Sequence, residues 1–121
     1  METTQGKAVA AFTALARLSQ KQMNSFAAYK LFRLKKALAP VVEFQSEQEV
    51  KIVQELGGTV SESGAINLDG EKRAEYFSRH KELEELKCDV STEKLSMFMK
   101  ELPDLTMADM ESLDDFIDWK E

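Results

Sequence analysis

Apolar residues recur at helical spacing through most of this chain. An apolar stripe among good helix formers predicts a first helix over residues 7–19. From Ser25, leucines and β-branched residues share one face as far as residue 56, which predicts a long helical segment with Ser25 as its N-cap. Pro40 lies inside this segment and lacks a backbone N–H. We therefore expect either two helices or one bent helix, with the break near residues 39–40.

The apolar period changes from helical to alternating after Gly57-Gly58. Val60 and Ile66 lie on opposite sides of Ser63-Gly64, and these residue types favour two short strands joined by a tight turn. The pattern predicts a β-hairpin near residues 59–68, with a loop as the alternative. Because an isolated hairpin is marginal in water, this segment should be a folded corner that packs on the helices.

Helical spacing resumes over residues 71–87, with Asp69 as a plausible N-cap. Its buried contacts should come from the larger apolar and aromatic side chains of this segment. These are Tyr76, Phe77, Leu83 and Leu86. A short strand could follow at residues 88–90.

The last quarter of the chain is harder to assign. Residues 91–102 fit a strand and a helix equally well, because their apolar residues match both periods. Thr106 should open a final short helix, since Thr106 and Asp109 form a pair that resembles a capping box. The apolar stripe of this helix would consist of Met110, Leu113, Phe116 and Ile117.

These elements predict a mainly α (α+β) fold. We expect a small, compact helical domain with a long bent helix, the hairpin near residues 59–68 and a short C-terminal helix. A chain of 121 residues is most simply one domain, residues 1–121, in which the N-terminal helix of residues 1–24 could be loosely attached.

Charge is distributed unevenly along the chain. The net charge is −6, yet residues 1–42 carry seven basic residues and one acidic residue. Residues 101–121 carry eight acidic residues and one basic residue. Such a chain can fold with its two ends in electrostatic contact, or it can present two faces of opposite sign to partners.

The residues that usually carry chemistry are sparse and isolated. His80 is the only histidine and Cys88 the only cysteine, so the sequence offers no internal disulfide and no cysteine-based zinc site. The glycines lack the spacing of phosphate-binding loops. We predict no catalytic residues, no metal and no cofactor. The first residues lack the apolar region of a signal peptide, and no run approaches the roughly 18 apolar residues of a membrane span.

Two surfaces are candidates for binding another protein. Aromatic and acidic residues near the C-terminus form the first, and basic residues around a tyrosine in the long helical segment form the second. The first candidate face comprises Phe116, Trp119, Asp114, Asp115 and Asp118, and the second comprises Tyr29, Lys30, Arg33 and Lys36.

Three blocks of the chain resemble a known family. AAYKLFRLKKALAPVVEF, AEYFSRHKELEELKCDV and LTMADMESLDDFI, in this order around a glycine-rich hairpin, are similar to short phage and prophage proteins catalogued as a domain of unknown function. The resemblance covers roughly residues 25–121. It implies a phage origin and a compact helical fold with a little β-structure, and it implies no reaction, cofactor or catalytic residue.

The function predicted from these features is that of a non-enzymatic bacteriophage accessory protein. It would act by protein–protein interaction in virion assembly or structure, in the cytoplasm of the bacterial host or associated with the virion. The alternative is an inhibitor of a host defence or DNA-binding protein that acts through the acidic C-terminal face. We expect a protein partner, either phage structural or host, and neither membrane binding nor direct nucleic-acid binding, while a homo-oligomer stays open.

Overall fold

A computed structural model describes all 121 residues and confirms the mainly α fold with small strand pairs. None of its helices combines the length and the apolar character that a membrane span requires. The four α-helices are α1 (Gln5–Leu18), α2 (Ser25–Glu55), α3 (Gly70–Glu85) and α4 (Met107–Leu113). The strands are β1 (Glu2–Thr4), β2 (Thr59–Val60), β3 (Ile66–Asn67), β4 (Lys87–Asp89), β5 (Leu95–Phe98) and β6 (Ile117–Lys120).

Helix α2 runs without interruption through Pro40, so the alternative of two separate helices was wrong. A proline removes one backbone hydrogen bond, but buried side chains on either side of Pro40, Leu38 and Val41, hold both turns against the core. The N-cap is Asn24 and not Ser25, because the Asn24 carboxamide oxygen accepts a hydrogen bond from the Ala27 N–H at 2.9 Å. Asparagine is among the strongest N-cap residues.

The larger hydrophobic core lies where α1 and α2 meet the C-terminal quarter of the chain. Helix α1 contributes Ala8, Ala11 and Ala14 to this core, all fully buried and small enough to let neighbouring helices approach closely. Helix α1 supplies six buried residues to the molecule. The other members of this core are Leu15, Leu18, Ala27, Leu31, Leu34, Leu38, Val41, Val90, Met97, Leu113, Phe116 and Ile117.

A second, smaller core joins the end of α2, the hairpin and α3. Its six buried members are Ile52, Val53, Leu56, Leu68, Tyr76 and Leu83. Tyr76 and Leu83 are buried as predicted, whereas Phe77 and Leu86 are exposed, so their predicted burial was wrong. Tyr76 and Leu83 are the only buried residues of α3, so this helix packs on the rest of the molecule along one side only.

The predicted hairpin is present, with β2 antiparallel to β3 and Val60 opposite Ile66. Gly64 adopts a φ of +85°, a conformation that favours glycine, and its N–H donates to the Ser61 carbonyl at 2.9 Å. Gly58 packs directly against Leu68, with no room there for a Cβ atom. The hairpin is therefore a folded corner that packs on the second core.

The last third of the chain contains more β-structure than the sequence pattern indicates. The strand predicted at residues 88–90 is present one residue earlier, as β4 (Lys87–Asp89), which pairs antiparallel with β1. Residues 91–102 contain a strand, β5, followed by a 3-10 turn at Met99–Glu101. Thr106 and Asp109 do form a capping box at the start of α4. However, α4 ends at Leu113, and the predicted continuation of the helix through Ile117 was wrong, because Ile117 begins β6, which pairs parallel with β5.

Candidate binding surface

A stripe of aromatic and basic side chains projects into solvent from the first half of α2. Phe26 is 77% exposed, and Tyr29 and Phe32 are each 59% exposed. Arg33 and Lys36 are also exposed. We call these five residues the aromatic–basic face. Spacings of three and four residues put Phe26, Tyr29, Arg33 and Lys36 in one row along the helix.

The side of α2 that faces the protein interior explains why this aromatic row is exposed. Ala27, Leu31 and Leu34 are buried in the larger core, so the helix cannot bury its aromatic row as well without a further partner. The Arg33 guanidinium lies 5.9 Å from the centre of the Tyr29 ring, within the range of a cation–π contact. Contiguous exposed aromatic surface rimmed by polar groups usually marks a site of interaction.

The aromatic–basic face forms one wall of an open groove with a volume of about 920 Å³. Phe26, Tyr29 and Arg33 lie on the α2 side of the groove. The opposite side consists of the loop after β4 together with the first residues of β5. Lys30, which is half-buried, crosses the groove and donates a hydrogen bond from Nζ to the Ser96 carbonyl oxygen at 3.0 Å. All four predicted residues of the second candidate face are thus on α2, three of them in the groove wall.

A smaller apolar groove, of about 450 Å³, lies between the end of α1 and the start of α2. Leu18, Met23 and Leu31 supply apolar surface, and Phe32 of the aromatic–basic face borders it. Lys35 is also part of its lining and places its ammonium 5.5 Å from the Phe12 ring centre. The two grooves therefore flank the aromatic–basic face on either side of α2.

The first candidate face, at the C-terminus, is largely occupied inside the molecule. Phe116 is completely buried, so its side chain cannot reach a partner in this fold. Trp119 is half-buried against the larger core, and its Nε1–H donates to Asp114 Oδ1 at 3.1 Å. Neither aromatic side chain projects freely from the surface.

Several acidic residues of the C-terminal quarter are engaged by basic partners. Asp115 lies 3.1 Å from Lys7 Nζ, and Asp118 lies 2.9 Å from Lys120 Nζ. The hydrogen bond from Lys120 lowers the pKa of Asp118. The two ends of the chain are therefore in electrostatic contact, the first of the two arrangements that the charge distribution allows.

The isolated His80 joins two helices. Its Nε2 atom lies 2.6 Å from Glu49 in α2, and its Nδ1 atom lies 2.8 Å from Glu84 in α3. Each ring nitrogen thus lies within hydrogen-bond distance of one carboxylate, and the His80 ring bridges α2 and α3. The Arg79–Glu55 ion pair makes a second link between the same helices, and its hydrogen bond lowers the pKa of Glu55. These contacts give His80 a structural role.

Two features of the binding surface were missed in the sequence. Phe26 shares the row of Tyr29 and Arg33, and its position opposite the apolar stripe of α2 could have identified it. Ser96 faces the same groove, but no sequence signal distinguishes it, because the assignment of residues 91–102 as strand or helix was open. No cluster of three or more His, Cys, Asp or Glu side chains is arranged to hold a metal ion.

The chain matches no protein-family model, no curated protein and no solved structure at a significant level. The resemblance to short phage and prophage proteins therefore stays a prediction.

Proposed function

We propose that this protein is a non-enzymatic bacteriophage accessory protein that binds another protein through the aromatic–basic face of α2. We propose that it acts in virion assembly or forms part of the virion structure. The exposure of Phe26, Tyr29 and Phe32 is the observation that carries the binding role. The phage origin rests on the resemblance of residues 25–121.

Aromatic side chains favour binding at such a face because they bury a large area with few rotatable bonds. Tyrosine and arginine are enriched among the residues that dominate interface energetics, and the face contains both. Removing one such anchor typically weakens a complex by about 2 kcal/mol or more. Arg33 and Lys36 would add attraction for an acidic partner and speed its association.

The alternative role, inhibition of a host defence or DNA-binding protein through the acidic C-terminal face, has weaker support. A protein that imitates a row of phosphates needs free carboxylates. Asp109 and Asp115 bind Arg17 and Lys7, and Asp118 binds Lys120. The aromatic–basic face offers more uncommitted surface.

Affinity capture with matched variants tests the proposal. The tagged protein would be expressed in phage-infected bacterial cells, and co-purifying proteins would be identified by mass spectrometry at low and high salt. We expect a phage structural protein to be captured, and its recovery to fall at least tenfold when Phe26→Ser and Tyr29→Ser are combined. The control is Phe77→Ser, which removes an exposed aromatic side chain from α3.

Equal capture by the wild type and the Phe26/Tyr29 double variant would contradict the proposed face. Capture of a host nuclease or defence protein would instead favour the inhibitor role. Direct nucleic-acid contact is tested separately with fluorescent single-stranded DNA, because basic residues and aromatic rings together can also stack bases. We expect no binding at physiological salt, since the net charge of −6 repels the phosphate backbone at long range.

A further inference from the structure

Strand β5 has one edge that no other strand covers. It belongs to a sheet of two strands, and its only strand neighbour is β6. The Leu95 N–H donates to the Phe116 carbonyl at 2.9 Å, so the backbone groups of Leu95 point toward β6. The backbone N–H and C=O groups of successive residues in a strand point alternately to its two edges, so these groups of Ser96 and Phe98 point to the opposite edge. We call this opposite side the outer edge of β5.

The outer edge of β5 opens into the groove beside α2. Ser96 and Leu95 line the groove from the strand, and Tyr29 and Arg33 line it from the helix. The volume of about 920 Å³ lies near the upper end of the range of ~300–1,000 Å³ that is usual for ligand sites. A groove between a free strand edge and a helix has the shape that accepts an extended peptide as an additional strand.

The flexible side chain of Lys30 covers part of this edge. The Lys30 ammonium donates to the Ser96 carbonyl at 3.0 Å. Lysine side chains often protect exposed strand edges from unwanted pairing. A long side chain on the surface can move aside at little cost, which would free the Ser96 carbonyl for a backbone N–H of a partner.

The charges around the groove select an acidic occupant. Lys30, Arg33 and Lys94 line it, against Asp89 and Glu93. Lys36 extends the basic row one turn further along α2, so the excess of charge is positive although the whole chain is acidic. An acidic segment would gain electrostatic attraction here, and a basic one would be repelled.

We infer that an extended, acidic segment of a partner protein binds along the outer edge of β5 as a third strand, between β5 and α2. Backbone hydrogen bonds to Ser96 and Phe98 would supply register, and alternate side chains of the segment would contact Tyr29 and Arg33. This inference rests on the proposed function and adds the mode of binding and the chemistry of the partner.

The experiment uses the full chain and a library of random linear peptides. Peptides that bind the immobilised protein are selected, synthesised and titrated into the isotope-labelled protein, and amide hydrogen exchange is followed by NMR. We expect the selected peptides to be acidic and to slow exchange of the Ser96 and Phe98 amides at least tenfold. Arg33→Glu should weaken their binding at least tenfold, whereas Lys81→Glu, the same charge change on α3, should leave it unchanged.

A chemical change in the peptide distinguishes strand pairing from simple charge contact. Methylation of alternate backbone nitrogens removes the donors that a third strand needs and keeps the side-chain charges. Binding should be lost when the methyl groups lie on one set of alternate residues and retained when they lie on the other set. Equal binding of both methylated forms, failure to select any peptide, or selection of peptides that leave Ser96 and Phe98 unprotected would overturn the inference.

These outcomes are separable from those of the capture experiment. If the Phe26/Tyr29 double variant loses its partner while no peptide protects β5, the proposed function stands and strand addition is wrong. If peptides protect β5 while the double variant keeps its partner, strand addition stands and the role of the aromatic–basic face is wrong.

Discussion

The Arg17 guanidinium donates a hydrogen bond to the Asp109 carboxylate at 2.7 Å and joins α1 to α4 across 92 positions of the chain. The same carboxylate also accepts a hydrogen bond from the Thr106 N–H at 3.4 Å, as part of the capping box. Asp109 is buried, whereas Arg17 is about half exposed. The hydrogen bond from Arg17 is the main cause of a lowered pKa for Asp109, and the bonds from Thr106 act in the same direction.

Asp109→Asn should therefore destabilise the protein at neutral pH. A carboxyl group whose pKa is lower in the folded state stabilises that state above its unfolded pKa, and the contribution is lost as the pH falls through the folded value. We expect a loss of about 1–3 kcal/mol in the free energy of unfolding at neutral pH. The difference from the wild type should shrink as the pH falls below the ordinary value of 3.8.

Urea unfolding followed by circular dichroism over a pH series measures this effect. Asp115→Asn is the control, because its ion pair with Lys7 is exposed and should contribute less than about 1 kcal/mol. A difference between the Asp109 variant and the wild type that is independent of pH would show that the lowered pKa is not its cause.

Gly58→Ala should destabilise the hairpin and the second core. A Cβ at Gly58 would lie 2.2 Å from Leu68 Cδ2 and 2.6 Å from the Asn67 carbonyl oxygen, and the carbonyl belongs to the backbone. Such overpacking typically costs about 1–3 kcal/mol. Thermal unfolding should therefore show a lower midpoint than for the wild type.

Gly70→Ala is the matched control for Gly58, since no atom lies within 4 Å of a Cβ added there. Its midpoint should stay close to that of the wild type. If Gly58→Ala is equally harmless, the packing of Gly58 against Asn67 and Leu68 is looser than the structure indicates.

Elements defined by neighbouring residues were predictable from the sequence. The capping box at Thr106 and the hairpin turn at Gly64 depend on contacts within three or four positions, and both residue types have strong local preferences. The continuity of α2 was not predictable, because Pro40 acts locally while Leu38 and Val41 on either side of it are buried in a core built from distant segments.

Elements defined by distant pairing were not predictable. Strand β5 is stabilised by pairing Leu95 with Ile117, which belong to segments whose apolar periods also fit helices. The same apolar character suits a core and an interface, so Phe116 was assigned to a contact face although tertiary packing buries it completely. The residues of the basic face could be grouped from sequence because they share one helix, and their role in binding stays a prediction.

Gln45→Met should stabilise the protein. Gln45 is buried in α2, and its carboxamide oxygen has no hydrogen-bond partner. Methionine has a similar unbranched shape and carries no strong polar group, so the substitution removes the cost of a buried, unpaired acceptor. We expect a gain of about 1 kcal/mol in the free energy of unfolding, measured by urea titration.

Gln54→Met makes the same substitution at an exposed position of α2 and should change stability by less than about 0.5 kcal/mol. A destabilised Gln45→Met variant would indicate that the Gln45 oxygen has a partner, such as a bound water, that the substitution removes.

The Cys88 thiol should react slowly with aromatic disulfide reagents in the folded protein. Burial, with the neighbouring Asp89 charge as the smaller cause, raises the pKa of Cys88 above its ordinary value of 9.0. The thiolate is the reactive form, so a raised pKa leaves less of it at any given pH below that value. The reaction rate should keep rising with pH beyond 9.0 and should increase strongly in urea, where the thiol becomes solvent-exposed.

Asp89→Asn should raise the rate in the folded protein, because it removes the negative charge that disfavours the thiolate. A folded-state rate as high as the rate in urea would mean that the β1–β4 pair opens readily.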